Sequence, residues 1–148
     1  MSEREVFTMR AAKGTIRALA EEARRYRVPP RSLAEEILEE GVQMRRHPGV
    51  VFVERPGGRD AVLAGRPRLS IWEIVETVRQ SSSVVAAART LLLDLGSLER
   101  ALAYANEYAD EIDAAIADNE AAFERAKRLY PAAGGTPTPK GRRAAPAR

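Results

Sequence analysis

The stretch Val6-Phe7-Thr8-Met9-Arg10-Ala11 decides how the N-terminal part of this chain is interpreted. Successive side chains of a β-strand point to opposite faces. The odd-numbered residues would therefore share an apolar face, and the even-numbered residues would lie on the opposite face. A single short strand that is followed by two helical patterns lacks a partner strand of its own. We therefore expect residues 6–11 to pair with the same residues of a second copy of the chain.

Apolar residues at helical spacing follow this segment. They predict a first helix over residues 13–26, which Val28-Pro29-Pro30 ends because proline disfavours helix in the residue before it. A second helix is expected to begin near Pro30 or Ser32, with Ser32 and Glu35 in the positions of a capping box. Its expected buried stripe consists of Leu33, Ile37, Leu38 and Gly41.

About 47 residues would bury too little surface to be stable alone, and an unpaired strand exposes backbone hydrogen-bonding groups. Two copies that pair their strands antiparallel and interleave their helices would remove both problems. Residues 6–46 resemble the ribbon-helix-helix family, above all in the strand V-F-T-M-R and the helix S-L-A-E-E-I-L-E-E-G. The resemblance implies a homodimer whose two-stranded ribbon enters the DNA major groove.

The even-numbered face of this strand carries side chains that can read DNA. Arginine can donate two hydrogen bonds to guanine, threonine can donate or accept one, and valine can contact a thymine methyl group. At the start of the second helix, backbone N–H groups and the helix dipole favour phosphate. These properties predict DNA contacts by Val6, Thr8, Arg10, Arg31 and Ser32. Two alternatives stay open: the strand face is ordinary solvated surface on a dimer, and Ser32 only caps its helix.

The middle of the chain predicts a hairpin and two capped helices. Residues 50–54 and 59–63 flank Arg55-Pro56-Gly57-Gly58, whose glycines suit a hairpin turn. An extended lead-in over 66–69 precedes a helix with a capping box formed by Ser70 and Glu73. Ser83 is expected to cap the next helix, Gly96 to end it and Ser97 to cap the last one.

The same region carries a second resemblance. The segments G-R-P-R-L-S-I-W-E-I-V (65–75) and L-E-R-A-L-A-Y-A (98–105), with Glu111-Ile112 after them, are similar to the family catalogued as domain of unknown function 433. The resemblance covers about residues 48–115. It implies a helix-turn-helix-like fold and a role like that of VapB-type antitoxins, which accompany PIN-like ribonuclease toxins.

The last helix is expected to be long. Apolar residues from Leu98 to Tyr130 recur at spacings of four and three, which predicts one heptad seam over residues 97–129. Its outer surface is acidic, and a helix of this length exceeds what one small domain can cover. We therefore predict a docking face for a protein partner, comprising Asp110, Glu111, Ile112, Asp113, Ile116 and Phe123.

Composition excludes several classes of function. The chain of 148 residues contains no cysteine and one histidine, so neither a disulfide framework nor a cysteine-based zinc site is available. No phosphate-binding glycine loop and no Ser-His-Asp set is present, and we expect no cofactor, no metal and no enzymatic activity. No apolar run approaches a membrane span and no signal peptide is apparent, which favours a cytoplasmic location.

The positive charge is concentrated at the C-terminus. Residues 131–148 contain four Lys or Arg and no Asp or Glu, whereas the formal net charge of the whole chain is +3. The remainder is therefore nearly neutral, and its charge alone does not indicate nucleic acid. The Pro, Gly and Ala composition of 131–148 predicts a disordered basic tail.

Together these patterns predict a mainly α protein with few short strands. Residues 1–47 would form a ribbon-helix-helix-like segment, residues 48–130 a hairpin plus a helix-turn-helix-like domain with a long C-terminal helix, and residues 131–148 the tail. The functional hypothesis is a homodimeric or larger antitoxin that binds operator DNA and neutralises a PIN-like ribonuclease toxin. The alternative is a homodimeric protein-interaction module that does not bind DNA.

Overall fold

Six helices and three strands make up the part of the chain, residues 5–131, that the computed structural model describes. The chain divides into two compact units, of which the first ends at Arg68 and the second begins at Leu69. The fold is mainly helical with a small antiparallel sheet, as the sequence predicts. The hairpin belongs to the same unit as the two N-terminal helices.

Two helices and the hairpin form the first unit. Its elements are α1 (Lys13–Tyr26), α2 (Pro30–Arg46), β1 (Val50–Arg55) and β2 (Gly58–Leu63). β1 pairs antiparallel with β2, with Val50 opposite Leu63 and Arg55 opposite Gly58. The turn Pro56-Gly57 joins them, and of the adjacent glycines Gly57 and Gly58 only Gly58, the first residue of β2, has a positive φ, 123°. The core of this unit consists of Ala23, Leu33, Val50, Ala61, Val62 and Leu63.

Proline sets the start of α2 and changes the predicted cap. Pro29 occupies the N-cap position and Pro30 the first helical position, where the missing N–H is no loss. Ser32 therefore lies inside the first turn and does not cap the helix, so the predicted capping box with Glu35 is wrong. The Glu35 carboxylate instead accepts a hydrogen bond from Arg31 Nε at 2.9 Å.

The second unit is a cluster of four helices. After β3 (Arg66–Ser70), which lies next to β2 in the sheet, come α3 (Ile71–Gln80), α4 (Val84–Leu91), α5 (Leu95–Glu107) and α6 (Ala109–Leu129). α3 contacts all of the other three helices. The predicted capping box is confirmed, since Ser70 N donates to Glu73 Oε2 at 2.7 Å. The predicted cap at Ser83 is also confirmed.

The end of α4 and the start of α5 differ from the prediction. Gly96 does not end α4, because Leu92 adopts the left-handed conformation (φ 53°) and terminates the helix after Leu91. The Leu93 N–H then bonds the Ala88 carbonyl, as in a Schellman-type helix end. Asp94 caps α5 and accepts a hydrogen bond from Ser97 N at 2.8 Å, so Ser97 is the donor in this cap and not the cap residue.

The predicted continuous helix over residues 97–129 is wrong. α5 ends at Glu107 and α6 begins at Ala109, with Tyr108 between them in a non-helical conformation (φ −112°, ψ 43°). α6 contacts both α3 and α5. A seam counted along the sequence does not detect the break at Tyr108. The core of the unit is Ile71, Ile74, Val75, Ala87, Ala88, Leu98, Ala101, Tyr104, Ala105 and Ile112.

Candidate DNA-binding and partner-binding surfaces

The segment 5–12 precedes α1 without forming a strand in the single chain. The sheet of the described residues consists of β1, β2 and β3 alone, so this segment is paired with none of them. Every residue of the segment is exposed, and Val6 is 92% exposed. The predicted base-reading residues Val6, Thr8 and Arg10 therefore lie on open surface, where their backbone is available to a second strand.

An apolar groove of about 680 Å³ runs along the first two helices next to this segment. Met9 and Ala11 line it, whereas Thr8 and Arg10 do not. The two faces that alternation predicts for residues 6–11 are thus separated in the structure: part of the odd-numbered face lies at the groove and the even-numbered face lies away from it. The helices contribute Thr15, Ile16, Ala18, Leu19, Glu22, Ala34, Ile37, Leu38, Gly41, Val42 and Arg45.

Most of the apolar residues on α1 and α2 remain uncovered in one chain. Ala23 is the buried residue of α1 and Leu33 that of α2. Ile37 and Leu38 are 52% and 50% exposed, so the predicted buried stripe of α2 is buried only at Leu33. Ordinary monomers seldom leave contiguous apolar surface of this kind in contact with water. This groove is therefore an apolar surface of the first unit that one chain leaves exposed.

The start of α2 is a weaker candidate for a phosphate contact. The Arg31 side chain is largely exposed, but its guanidinium forms an ion pair with Glu35 one turn further along the helix. Ser32 lines a different cavity, on the side of the helix that faces the hairpin. The structure therefore does not place Arg31 and Ser32 together with the face formed by Thr8 and Arg10.

A second cavity, of about 520 Å³, lies between the hairpin and the two helices of the first unit. Arg59 donates two hydrogen bonds to the Glu40 carboxylate, at 2.7 and 2.8 Å, and these bonds raise the pKa of Arg59. Tyr26 donates to Glu54 at 3.2 Å, and this hydrogen bond raises the pKa of Tyr26. These contacts attach the hairpin to the helices. The sequence alone does not predict them, because their partners are 19 and 28 residues apart.

The predicted partner-binding set on α6 separates into internal and exposed residues. Ile112 is only 3% exposed and belongs to the core of the second unit, so its prediction as a partner contact is corrected. Glu111 accepts a hydrogen bond from the Tyr104 hydroxyl at 2.9 Å, and Asp113 pairs with Arg79 at 2.7 Å. Both carboxylates therefore have contacts within the unit.

The second half of α6 carries the exposed apolar residues. Ile116 is half-buried, Phe123 is 60% exposed, and Leu129 and Tyr130 are exposed as well. The Lys127 ammonium group lies 4.6 Å from the centre of the Phe123 ring. The prediction of partner-binding residues included Ile116 and Phe123 but omitted the exposed end of the helix.

A search of the described residues for metal-binding clusters finds none. Within residues 5–131 no group of three or more His, Asp or Glu side chains is placed to hold a metal ion. The predicted acidic residues Asp110, Glu111 and Asp113 lie on the surface of α6. Across the same residues, none of the helices combines the length and the hydropathy that a membrane crossing requires. Comparison with family models, with curated proteins and with solved structures finds no match for this chain.

Proposed function

We propose that this chain is a homodimeric DNA-binding regulator of the antitoxin type. Residues 6–11 of two copies pair antiparallel, and the pairing closes the apolar groove between α1 and α2. The observation that carries the proposal is the groove itself, which holds Met9 and Ala11 on its wall and leaves Ile37 and Leu38 half exposed. Burying such surface is the main favourable contribution to protein association.

In this dimer the even-numbered residues of the ribbon recognise the DNA. The two strands pair through their backbone edges, and with the apolar face turned toward the helices, Thr8 and Arg10 of both copies lie on the opposite face, which fits a major groove. A bidentate contact from Arg10 to guanine would contribute about 1–3 kcal/mol of discrimination against other bases. Val6 would contact thymine methyl groups or sugars, and Arg31 with Ser32 would lie at a phosphate.

The antitoxin part of the proposal concerns the second unit. Segment 65–75, which begins at the end of the first unit, and segment 98–105 resemble the family catalogued as domain of unknown function 433, and that resemblance implies a PIN-like ribonuclease partner. The exposed part of α6, which follows the half-buried Ile116 and carries Phe123, supports a docking role. The partner would bind this stripe, and repression of the operon would follow from DNA binding by the first unit.

A charge placed in the groove tests dimerisation and DNA binding together. In Leu38→Asp the aspartate would have to be buried between two copies, which is strongly unfavourable without a paired charge. We expect self-association to weaken by at least about tenfold and retention of operator DNA in a gel-shift titration to be lost. Met44→Asp is the matched control, because Met44 lies on the same helix but does not line the groove.

Arg10→Ala separates DNA recognition from dimerisation. We expect the variant to dimerise as the wild type does and to lose preference for operator over unrelated DNA. Unchanged preference would remove Arg10 from the reading role. A wild-type chain that dimerises through the groove but retains no upstream DNA would instead establish the protein-interaction module.

The ribonuclease partner needs its own experiment. The neighbouring gene should encode a small ribonuclease with an acidic active site, and the full chain should inhibit that enzyme's cleavage of RNA. Failure to inhibit, with DNA binding intact, would leave a regulator that is not an antitoxin.

A further inference from the structure

The second half of α6 is a helix that the rest of the described chain does not cover. All residues from 117 to 130 are exposed, whereas Ile112 at the other end is buried. Isolated helices shorter than about 12–15 residues are marginal in water. Packing of another molecule along one face would therefore stabilise this half of the helix.

One face of this segment has the spacing of a coiled-coil seam. Ile116, Phe123 and Tyr130 are seven residues apart, and Asn119 and Ala126 fall between them at the alternating spacing of three and four. Because the break at Tyr108 confines this stripe to α6, it is shorter than the sequence alone suggests. A polar residue such as Asn119 within a seam favours one register at some cost in stability.

The charges of α6 are segregated along its length. Five acidic and no basic residues lie in 109–120, and three basic residues and one acidic residue lie in 121–129. Two parallel copies would place the acidic halves side by side, whereas two antiparallel copies place each acidic half beside the basic end of the other. Opposite charges along a helix pair are favourable and like charges are not. The charge pattern therefore fits a second, antiparallel copy of α6.

We infer that the free protein pairs α6 with α6 of a second copy, antiparallel, along the stripe from Ile116 to Ala126. In this pairing Phe123 of one copy lies opposite Asn119 of the other. The midpoint of the paired helices is therefore near Ala121. Asp113 of one copy then lies near Lys127 of the other. The inference goes beyond DNA binding and does not depend on it. A protein partner that docks on the same stripe has to displace the second copy.

Distances between spin labels test the direction of pairing in the full chain. The sequence contains no cysteine, so Ala121→Cys and Leu129→Cys each provide one labelling site. In the antiparallel pair the two labels at 121 lie at the same height on the outer faces of the two helices, so only the width of the pair separates them, whereas those at 129 are also offset by about 24 Å along the axis at 1.5 Å per residue. A distance at 129 without this axial offset would show parallel pairing, and no defined distance at either site would show no pairing; either result overturns the inference.

A matched pair of substitutions tests the stripe. Phe123→Asp puts a charge in the seam, and Ala121→Asp puts the same charge on the opposite face of the same exposed turn. We expect Phe123→Asp to raise the dissociation constant of α6 pairing by at least about tenfold and Ala121→Asp to change it by less than about twofold. Equal effects of the two variants would overturn the inference.

The Leu38→Asp chain distinguishes this pairing from the groove dimer. With the groove blocked, self-association that remains in sedimentation equilibrium belongs to α6 and should be sensitive to Phe123→Asp. A strictly monomeric Leu38→Asp chain at about 1 mM would overturn the α6 inference while leaving the groove dimer intact. If Leu38→Asp fails to fold, the spin-label distances in the chain that keeps Leu38 test the pairing of α6.

Discussion

Single residues at helix starts are the parts of this molecule that local chemistry determines most directly. Ser70 and Glu73 form a capping box because each can satisfy the other's free backbone N–H, and both are within four positions of one another. Ser32 and Glu35 have the same spacing but no such role, because Pro29 and Pro30 start the helix earlier. The same motif therefore depends on where the preceding residues allow the helix to begin.

The capping box of α3 gives a stability prediction. Glu73→Ala removes the acceptor that the Ser70 N–H uses at 2.7 Å, and Ser70 is buried, so the donor would be left unsatisfied. We expect a loss of about 1 kcal/mol in the free energy of unfolding, measured by urea denaturation. Glu73→Gln keeps an acceptor and should lose much less. Equal losses for the two variants would contradict the capping role.

Asp94 gives a pH prediction. Its carboxylate accepts hydrogen bonds from the side chain and the backbone N–H of Ser97, which lowers the pKa of Asp94 in the folded chain. A lowered folded-state pKa contributes stability above the unfolded-state value, about 4, that is lost as the pH falls through the folded-state value.

The measurement is the urea midpoint at about pH 7 and about pH 3. Wild type should lose more of its stability on acidification than Asp94→Asn, since asparagine also caps helices but does not titrate. An identical pH dependence in the two proteins would show that the Asp94 charge does not contribute.

At the scale of elements, α2 and α6 are helices that expose apolar residues which the rest of the described chain does not cover. The sequence predicted that α2 begins near Pro30 because its prolines are local signals. It did not predict the break at Tyr108, because apolar spacing continues through positions 105, 109 and 112 without a Gly or Pro. Packing of α6 on α3, a contact between distant parts of the sequence, accompanies this break.

Gly41 tests whether the groove receives a second helix. It lies inside α2 and lines the groove, and a Cβ added there meets no atom within 4 Å. Gly41→Leu should therefore leave the fold of one chain intact while it fills space that the second copy needs. We expect circular dichroism to retain its helical signal and self-association to weaken by about tenfold or more.

Gly14→Leu is the control for this substitution. Gly14 also has open space around its added Cβ, but it does not line the groove. If both variants associate as strongly as wild type, the groove does not accept another helix at Gly41.

At the scale of the whole molecule, charge and apolar surface indicate different partners. The four basic residues of 131–148, which lie beyond the described residues, exceed the net charge of +3. Affinity for DNA that comes from phosphate neutralisation does not depend on base sequence. Sequence preference in the proposed dimer has to come from the ribbon instead.

Deletion of residues 132–148 separates these two contributions. We expect operator and unrelated DNA to lose affinity by the same factor, and the dependence on salt to become shallower by about 0.9 for each phosphate that the tail no longer neutralises. Gel-shift titrations at several salt concentrations measure both quantities. A selective loss of operator binding would show that the tail reads sequence, contrary to the proposal.

The sequence by itself determined the mainly helical class, the hairpin, the bounds of α1 and the caps at Ser70 and Ser83, because each depends on residues within a few positions of one another. Only the tertiary structure decided that Ile112 is buried and that Glu40 binds Arg59 across 19 positions. It also decided that the apolar residues of α2 remain exposed in one chain. Burial depends on which distant surfaces meet, and periodicity shows that a face is apolar without showing what covers it.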